Sequence, residues 1–185
     1  LLIASNSPLI ITESAGKEPV GFANLVELSE LLSIPIIESS PAYSNFPKSH
    51  PMHLGFNPSP FIDTSDVVLV VGSRSPWYPP SAGPTNAQVI AIDENPIKGQ
   101  MVYQNLMADM YIEGDLTTTL ALLNTELKNN IQQDSSAIKE RWLRNKNQHD
   151  KLEEQNRISR TEAGKKTTID PIFLCQTLSE IKPDN

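Results

Sequence analysis

The sequence has one cysteine, no long hydrophobic run and few basic residues, and each of these shortages excludes a class of protein. Because Cys175 is the single cysteine, no internal disulfide can form, and we expect a cytoplasmic protein from a reducing compartment. No stretch approaches the roughly 20 apolar residues of a membrane-spanning helix. Basic residues are also scarce, since 15 Lys and Arg stand against 22 Asp and Glu. The resulting net charge of −7 argues against nucleic acid and anionic membranes as partners.

The strongest apolar segment is 66–73, which reads Asp-Val-Val-Leu-Val-Val-Gly-Ser. An apolar run this short and this rich in β-branched residues predicts a strand buried on both faces, as in a parallel sheet covered by helices. Gly72, Ser73 and Arg74 follow the run directly. Ligands of open α/β sheets bind at the carboxyl ends of the strands, so these three residues are candidates for a binding site.

The segments around this strand alternate between strand and helix patterns. Further strands are predicted at 8–12, 36–38, 88–93 and 109–113. Apolar residues at helical spacing predict an amphipathic helix over Pro19–Leu32, and Asp115 is expected to cap a leucine-rich helix. Short strand–helix–strand connections favour a right-handed parallel arrangement. For residues 1–128 we therefore predict a three-layer α/β sandwich, with a Rossmann-like parallel sheet of about six strands and helices on both faces.

The composition changes after Lys128, where the chain becomes charged and poor in apolar residues. We predict that residues 129–168 form a long solvated helix with a narrow apolar stripe, followed by a linker. The basic residues of this helix are interleaved with acids and amides, so we expect them to face solvent. They are Lys139, Arg141, Arg144 and Lys146. Residues 169–185 contain a short amphipathic helix, where we expect Cys175 to be a buried, inert thiol. These helices together make a helical C-terminal extension.

Six segments, in this order and spacing, resemble the central domain of thiamine-diphosphate-dependent enzymes of the acetolactate synthase and benzoylformate decarboxylase kind. They are Pro8–Thr12, Leu28–Pro35, His50–Phe56, Asp66–Ser73, Val89–Asp93 and Ile112–Asp115. The resemblance extends from Pro8 to about Leu127, and residues 169–185 resemble the first helix of the domain that follows in those enzymes. It implies the same α/β fold and a parent enzyme, a lyase or transferase, that acts on a 2-oxo acid.

The resemblance also implies that this chain is inactive alone. In the family, a first domain supplies a glutamate that activates the thiazolium ring, and a third supplies a Gly-Asp-Gly motif with a downstream Asn that holds magnesium and the diphosphate. This sequence has neither, because Gly114-Asp115 is followed by Leu116. We therefore expect a central domain, a linker and the start of the diphosphate-binding domain. The sites for thiamine diphosphate and Mg2+ would lie in flanking domains of the same chain, within a parent homodimer or homotetramer.

A nucleotide site on this domain is the second expectation. In acetolactate synthases a Gly-x-Arg-Phe-Asp-Asp-Arg stretch helps to hold FAD; here Arg74 matches the first arginine but Tyr78 replaces the second. The candidate site for FAD or a related nucleotide consists of Gly72, Ser73, Arg74 and Asp93. Two alternatives stay open, since Arg74 could anchor its loop to a carboxylate and Asp93 could cap the next turn. The rival function is a standalone nucleotide-binding α/β module without catalysis.

The long loop between the second and third strands has the third candidate role. The resemblance implies that it approaches the mouth of the active site, where Met52, His53 and Phe56 would shape the substrate channel. The alternative from the residues alone is simple loop packing by Phe46, Leu54 and Phe56. His53 and the histidine three residues before it lack a third ligand nearby in sequence, so no metal site is predicted.

Overall fold

A parallel sheet forms the centre of the computed structural model, which describes residues 1–99, 106–131 and 135–182. Its strands are β1 (Pro8–Thr12), β2 (Ile36–Glu38), β3 (Val67–Val71), β4 (Gln88–Asp93) and β5 (Met110–Glu113). The helices are α1 (Pro19–Leu32), α2 (Ser59–Ile62), α3 (Leu116–Asn130), α4 (Ser136–Ala163) and α5 (Pro171–Ile181). All strand pairs are parallel, in the order β2-β1-β3-β4-β5. The predicted α/β fold with a parallel sheet is confirmed.

The sheet of the described residues has five strands, whereas about six were expected. The segment after β2 runs beside that strand without becoming a full strand. The amide of Ile36 donates to the carbonyl of Met52 (2.8 Å), and the amide of Leu54 donates to the carbonyl of Ile36 (2.9 Å). A single parallel bridge joins Ile36 to His53. This bridge places His53 close to Glu38, the last residue of β2.

The two faces of the sheet are covered differently. Ile10, Leu69 and Ile90 point towards α1 and α3, whose own buried residues include Leu25, Leu28 and Leu120. Side chains at the alternate positions point to the opposite face, where the one-turn helix α2 and loops cover them in the part of the chain described. Burial of each such side chain contributes about 1.5–3 kcal/mol. The predicted helical layer on this second face is therefore only one turn long among the described residues.

Helix α4 packs on the domain through polar side chains. Arg141, Asn145 and His149 are buried, and their spacing of four residues puts them on one side of the helix. Arg141 donates from Nη1 to the carbonyl of Leu32 and from Nη2 to the carbonyl of Ser5, both at 2.5 Å. Asn145 Nδ2 donates to the carbonyl of Ser33 at 3.0 Å.

The contacts with Leu32 and Ser33 satisfy carbonyl groups at the end of α1 that have no partner inside the helix. The negative end of the α1 dipole also favours a cation at this place. The prediction that Arg141 faces solvent was therefore wrong, because its guanidinium binds main-chain oxygens that a sequence pattern cannot reveal. Burial lowers the pKa of Arg141, as does the charge of nearby Arg144, while Asp66 raises it.

Helix α5 packs mainly on α4 and leaves much of its apolar side exposed. The half-exposed apolar residues are Ile172, Phe173, Leu174 and Leu178. Cys175 is also exposed, so the expectation of a buried thiol was wrong; its helix contributes no buried residue. Residues 183–185, predicted as part of the next domain, lie outside the described residues. No helix in the described part of the chain is long and apolar enough to cross a membrane.

Candidate functional site

Gly72 sets the geometry at the carboxyl end of β3. Its φ of +54° lies in the left-handed region, which favours glycine. A Cβ atom here would lie 2.5 Å from Leu116 Cδ1 and 2.7 Å from Ser14 Oγ. The Ser14 hydroxyl donates to the Gly72 carbonyl at 2.7 Å. The loop after β1 and the first residue of α3 therefore pack directly on the backbone at the end of β3.

Arg74 is paired with Glu13, the residue after β1. Its Nε lies 2.5 Å from Glu13 Oε1, and its amide donates to Oε2 at 2.8 Å. The side-chain hydrogen bond to Glu13 raises the pKa of Arg74, and so does the negative charge of Glu13. Glu13 is buried, whereas 70% of the Arg74 side chain is exposed. Arg74 thus anchors its loop to a carboxylate, which was the alternative to binding an anionic ligand. A role for Arg74 in nucleotide binding stays a prediction.

Asp93, at the end of β4, uses both of its oxygens within its own loop. The amide of Asn95 donates to Oδ1 at 2.9 Å, and Lys98 Nζ donates to Oδ2 at 2.6 Å. This is the turn-capping role that stood as the alternative to a ribose contact. Ser73 is buried, and its hydroxyl has no hydrogen-bond partner among the described residues.

A cavity of about 190 Å³ lies at this edge of the sheet, and of the four candidate nucleotide-binding residues only Asp93 lines it. The carboxylates on its wall are Glu18, Asp93, Glu94 and Asp115, against the single cation Lys17. Such an excess of negative charge repels a diphosphate. In the turn after β1, a main-chain amide is already bound by a side chain of the loop after β2.

Gly16 in that turn is in close contact with the loop that follows β2. Its amide donates to Asn45 Oδ1 at 2.8 Å, and a Cβ at Gly16 would lie 2.0 Å from the carbonyl oxygen of Ser44. A dinucleotide site needs free amides and close backbone approach in the turn after the first strand. The residues at this edge therefore do not fit FAD or a similar dinucleotide.

A second group of polar residues surrounds Glu38. This carboxylate is fully buried and accepts hydrogen bonds from Lys48 Nζ, from the Asn45 amide at 3.0 Å and from Asn45 Nδ2 at 3.1 Å. His53 Nε2 lies 3.1 Å from Glu38 Oε1, at an angle that makes the contact electrostatic rather than a good hydrogen bond. Burial alone would raise the pKa of Glu38, but His53, Lys48 and Asn45 lower it from 4.5 to about 2. This cluster could not be predicted, because its members follow Glu38 at separations of seven to fifteen positions in an irregular loop.

His53 and Phe56, two of the three candidate channel residues, line an open cavity of about 720 Å³ between their loop and α4. Met52, the third, is fully buried, with its sulfur 3.8 Å from Asn145 Nδ2. Phe46 and Leu54 are buried, as the alternative of simple loop packing predicts, whereas Phe56 is 54% exposed. Within the described residues, no three His, Cys, Asp or Glu side chains are arranged to hold a metal ion.

One comparison with known proteins identifies a family. Residues 1–123 match the family model described as thiamine pyrophosphate enzyme, central domain. Among solved structures, a putative thiamin diphosphate-dependent enzyme from Mycobacterium smegmatis superposes with a TM-score of 0.57 at 21% identity. The thiamine diphosphate-dependent 4-hydroxybenzoylformate decarboxylase of Rhodococcus jostii RHA1 also gives 0.57, at 24% identity.

Each of these two comparisons covers 74% of this chain but only 27% of the other. At these identities the structural likeness shows the fold alone, and the chain spans about a quarter of the length of the proteins it resembles. No curated protein matches the sequence.

Proposed function

The chain belongs to the family of thiamine pyrophosphate enzyme central domains, and from this premise we propose that it is the central domain of a longer enzyme that acts on a 2-oxo acid. The match over residues 1–123 is the observation that carries the proposal. The five-stranded parallel sheet, in an order shared with doubly wound folds, supports it. The enzyme would be a decarboxylase or a carboligase, hence a lyase or a transferase.

The chain's own role in that enzyme would be structural. The domain of residues 1–128 would hold the two flanking catalytic domains in place. Residues 129–168 would link it to the next domain, and residues 169–185 would begin that domain. The buried Arg141 supports a fixed rather than a loose link. The exposed apolar side of α5 supports docking on a further domain, since burial of its leucines and phenylalanine would add stability.

A second part of the proposal concerns the loop after β2. His53 and Phe56 would face the path of the substrate, because both line an open cavity. Met52 would support these two residues, because its side chain is fully buried and its sulfur contacts Asn145 of α4. The ion pair between half-exposed Lys48 and buried Glu38 would keep this wall in place.

Thiamine diphosphate, when bound to the longer enzyme, would supply the carbon nucleophile for cleavage beside the 2-oxo group. We place its diphosphate and Mg2+ sites in the flanking domains. The active sites of the parent would need two chains, so we expect a homodimer or a homotetramer of the parent. The present chain should be mostly monomeric, which light scattering at micromolar concentration can check.

The rival proposal is a nucleotide-binding module without catalysis. It would use Gly72, Ser73, Arg74 and Asp93. The unpartnered hydroxyl of Ser73 favours it, but the acid-lined cavity and the Glu13 partner of Arg74 argue against it. We therefore prefer the central-domain proposal.

The deciding experiment is to read the gene on both sides of this chain and to assay the full protein. We expect an upstream domain with a buried glutamate and a downstream Gly-Asp-Gly motif followed by Asn. The full protein should then release carbon dioxide from a 2-oxo acid, or join two of them, only with thiamine diphosphate and Mg2+. A start codon directly before Leu1 and a stop directly after Asn185 would overturn the proposal.

A further inference from the structure

The cavity beside α4 has the size and the wall of a small-molecule site. Its volume of about 720 Å³ lies within the usual range of ligand pockets, about 300–1,000 Å³. One wall is the segment from His53 to Thr64, and the other is the C-terminal half of α4. The two walls meet at Gly55, where a Cβ would lie 3.2 Å from Leu152 Cδ2 and where φ is +89°. The backbone is therefore adapted to this close approach.

The apolar part of the wall favours a flat ring. Leu54, Phe56, Phe61 and Leu152 all line the cavity. Phe56 packs edge-on against His53, with ring centroids 5.4 Å apart, yet 54% of it is exposed. An aromatic side chain held in place and left open on one side is a surface on which another ring can stack.

The polar part of the wall favours an anion. Lys48, Lys151 and Arg160 line the cavity, against one acid, Glu153. This local excess of positive charge occurs in a chain whose net charge is −7. Lys48 is already paired with buried Glu38. In the described part of the chain, the structure gives no ionic partner to Lys151 or Arg160.

We propose that this cavity binds a small aromatic carboxylate, with the ring against Phe56 and the carboxylate beside Lys151 or Arg160. The two cations are nine residues apart, so their backbone positions differ by about 13 Å along the helix. The inference names a ligand class for the cavity that borders the proposed substrate path and rests on that proposal, but binding to this chain can be measured without the reaction of the longer protein.

The test uses the whole 185-residue chain, labelled with 15N, and three simple probes followed by NMR. Benzoate carries both features, benzamide lacks the charge and acetate lacks the ring. We expect benzoate, titrated to about 10 mM, to shift the amide signals of Leu54, Gly55 and Leu152 in a saturable way. Benzamide should bind up to about fivefold more weakly, as expected for loss of one exposed ion pair, and acetate should bind more weakly still.

Two variants test the assignment of the residues. The double variant Lys151→Gln, Arg160→Gln should bind benzoate and benzamide equally. The control is the double variant Lys146→Gln, Lys165→Gln, which makes the same change in charge. These two lysines do not line the cavity and have their own acidic partners. The control should keep the preference for benzoate over benzamide. Phe56→Ala should weaken benzoate and benzamide alike.

Each contrary result is decisive. Benzoate shifts that do not saturate, that fall outside the cavity, or that benzamide or acetate matches would overturn the proposal. So would a double variant that keeps the preference for benzoate, provided that its amide spectrum and its thermal midpoint match those of the unaltered chain.

Discussion

Arg141 of α4 donates a 2.5 Å hydrogen bond to the carbonyl oxygen of Leu32, the last residue of α1, across 109 positions of sequence. The same guanidinium reaches the carbonyl of Ser5, in the turn before β1. That turn is held from its other side by Asp66, whose carboxylate accepts from the Asn6 amide at 2.7 Å and the Ser7 amide at 3.0 Å. One side chain of α4 thus joins a helix end to the start of the sheet.

Arg141→Ala should destabilise the domain strongly. The substitution removes two charge-assisted hydrogen bonds and leaves buried carbonyl groups without partners, each at a cost of about 1–3 kcal/mol. We expect the free energy of unfolding to fall by about 2–4 kcal/mol, seen in urea as a lower midpoint with an unchanged slope.

Arg144→Ala is the matched control, because Arg144 is exposed and makes only a 3.4 Å contact with the Asn6 carbonyl. Its effect should stay within about 0.5 kcal/mol. Equal stabilities of the two variants would show that α4 does not depend on the buried guanidinium.

Gly72→Ala should also be costly. The positive φ adds about 1–2 kcal/mol of backbone strain, and the new methyl group would meet Leu116 and Ser14 at 2.5 and 2.7 Å. We expect a loss of about 2–4 kcal/mol, measured by chemical denaturation. Gly99→Ala is the control, since a Cβ there meets nothing within 4 Å, and it should change stability little. A Gly72→Ala variant as stable as Gly99→Ala would refute the close packing at the end of β3.

Glu38 should make stability depend on acid pH. Its pKa is about 2 in the folded chain, below the ordinary value of 4.5, so folding favours the ionised form. The resulting stabilisation, on the order of 3 kcal/mol, is fully present above about pH 4.5. It disappears as the pH falls from 4.5 towards 2, because the folded carboxylate then takes up its proton as well.

Glu38→Gln tests this dependence. The variant should be less stable at pH 7 and should lose less stability as the pH falls from 4.5 towards 2, the interval between the ordinary and the folded pKa of Glu38. Glu126→Gln, a change at an exposed position of α3, should leave the acid profile as it was. If Glu38→Gln shows the full acid loss, another group is responsible for it.

Nucleotides should not stabilise the chain. Carboxylates line the edge cavity, and the amide of Gly16 is already bound by Asn45, so FAD, ADP, NAD and coenzyme A should leave the thermal midpoint unchanged. A ligand at a hundred times its dissociation constant would add about 2.7 kcal/mol. A shift of that size, removed by Arg74→Ala, would instead support the rival proposal of a nucleotide module.

Most of the sheet could be predicted from the sequence because short apolar runs between turn residues admit few structures. The valine run of β3 and the helical spacing of α1 are such patterns, and Asp115 caps α3 as expected, accepting from the Thr118 amide at 2.7 Å. These features depend on neighbours in sequence. Predictions of this kind succeed where local preference and tertiary packing agree.

The candidate sites were harder to predict because they depend on partners that are distant in sequence. Arg74 stands where a ligand could bind, but Glu13, 61 positions away, already occupies it. Arg141 sits in a charged helix that looks solvated, yet it is buried against main-chain oxygens. Main-chain carbonyls carry no signature in the sequence, so the contacts of Arg141 could not have been inferred.

The short bridge between Ile36 and His53 has a consequence for how the domain behaves in crowded solution. Met52, Leu54 and Gly55 use the hydrogen-bonding groups on the outer side of β2, so that margin cannot recruit a foreign strand. At the opposite margin, no described residue pairs with the outer side of β5, and Met110 and Tyr111 there are nearly half exposed. Open strand margins are templates for self-association. If the isolated chain aggregates, self-association should begin at β5, and Met110→Lys should suppress it.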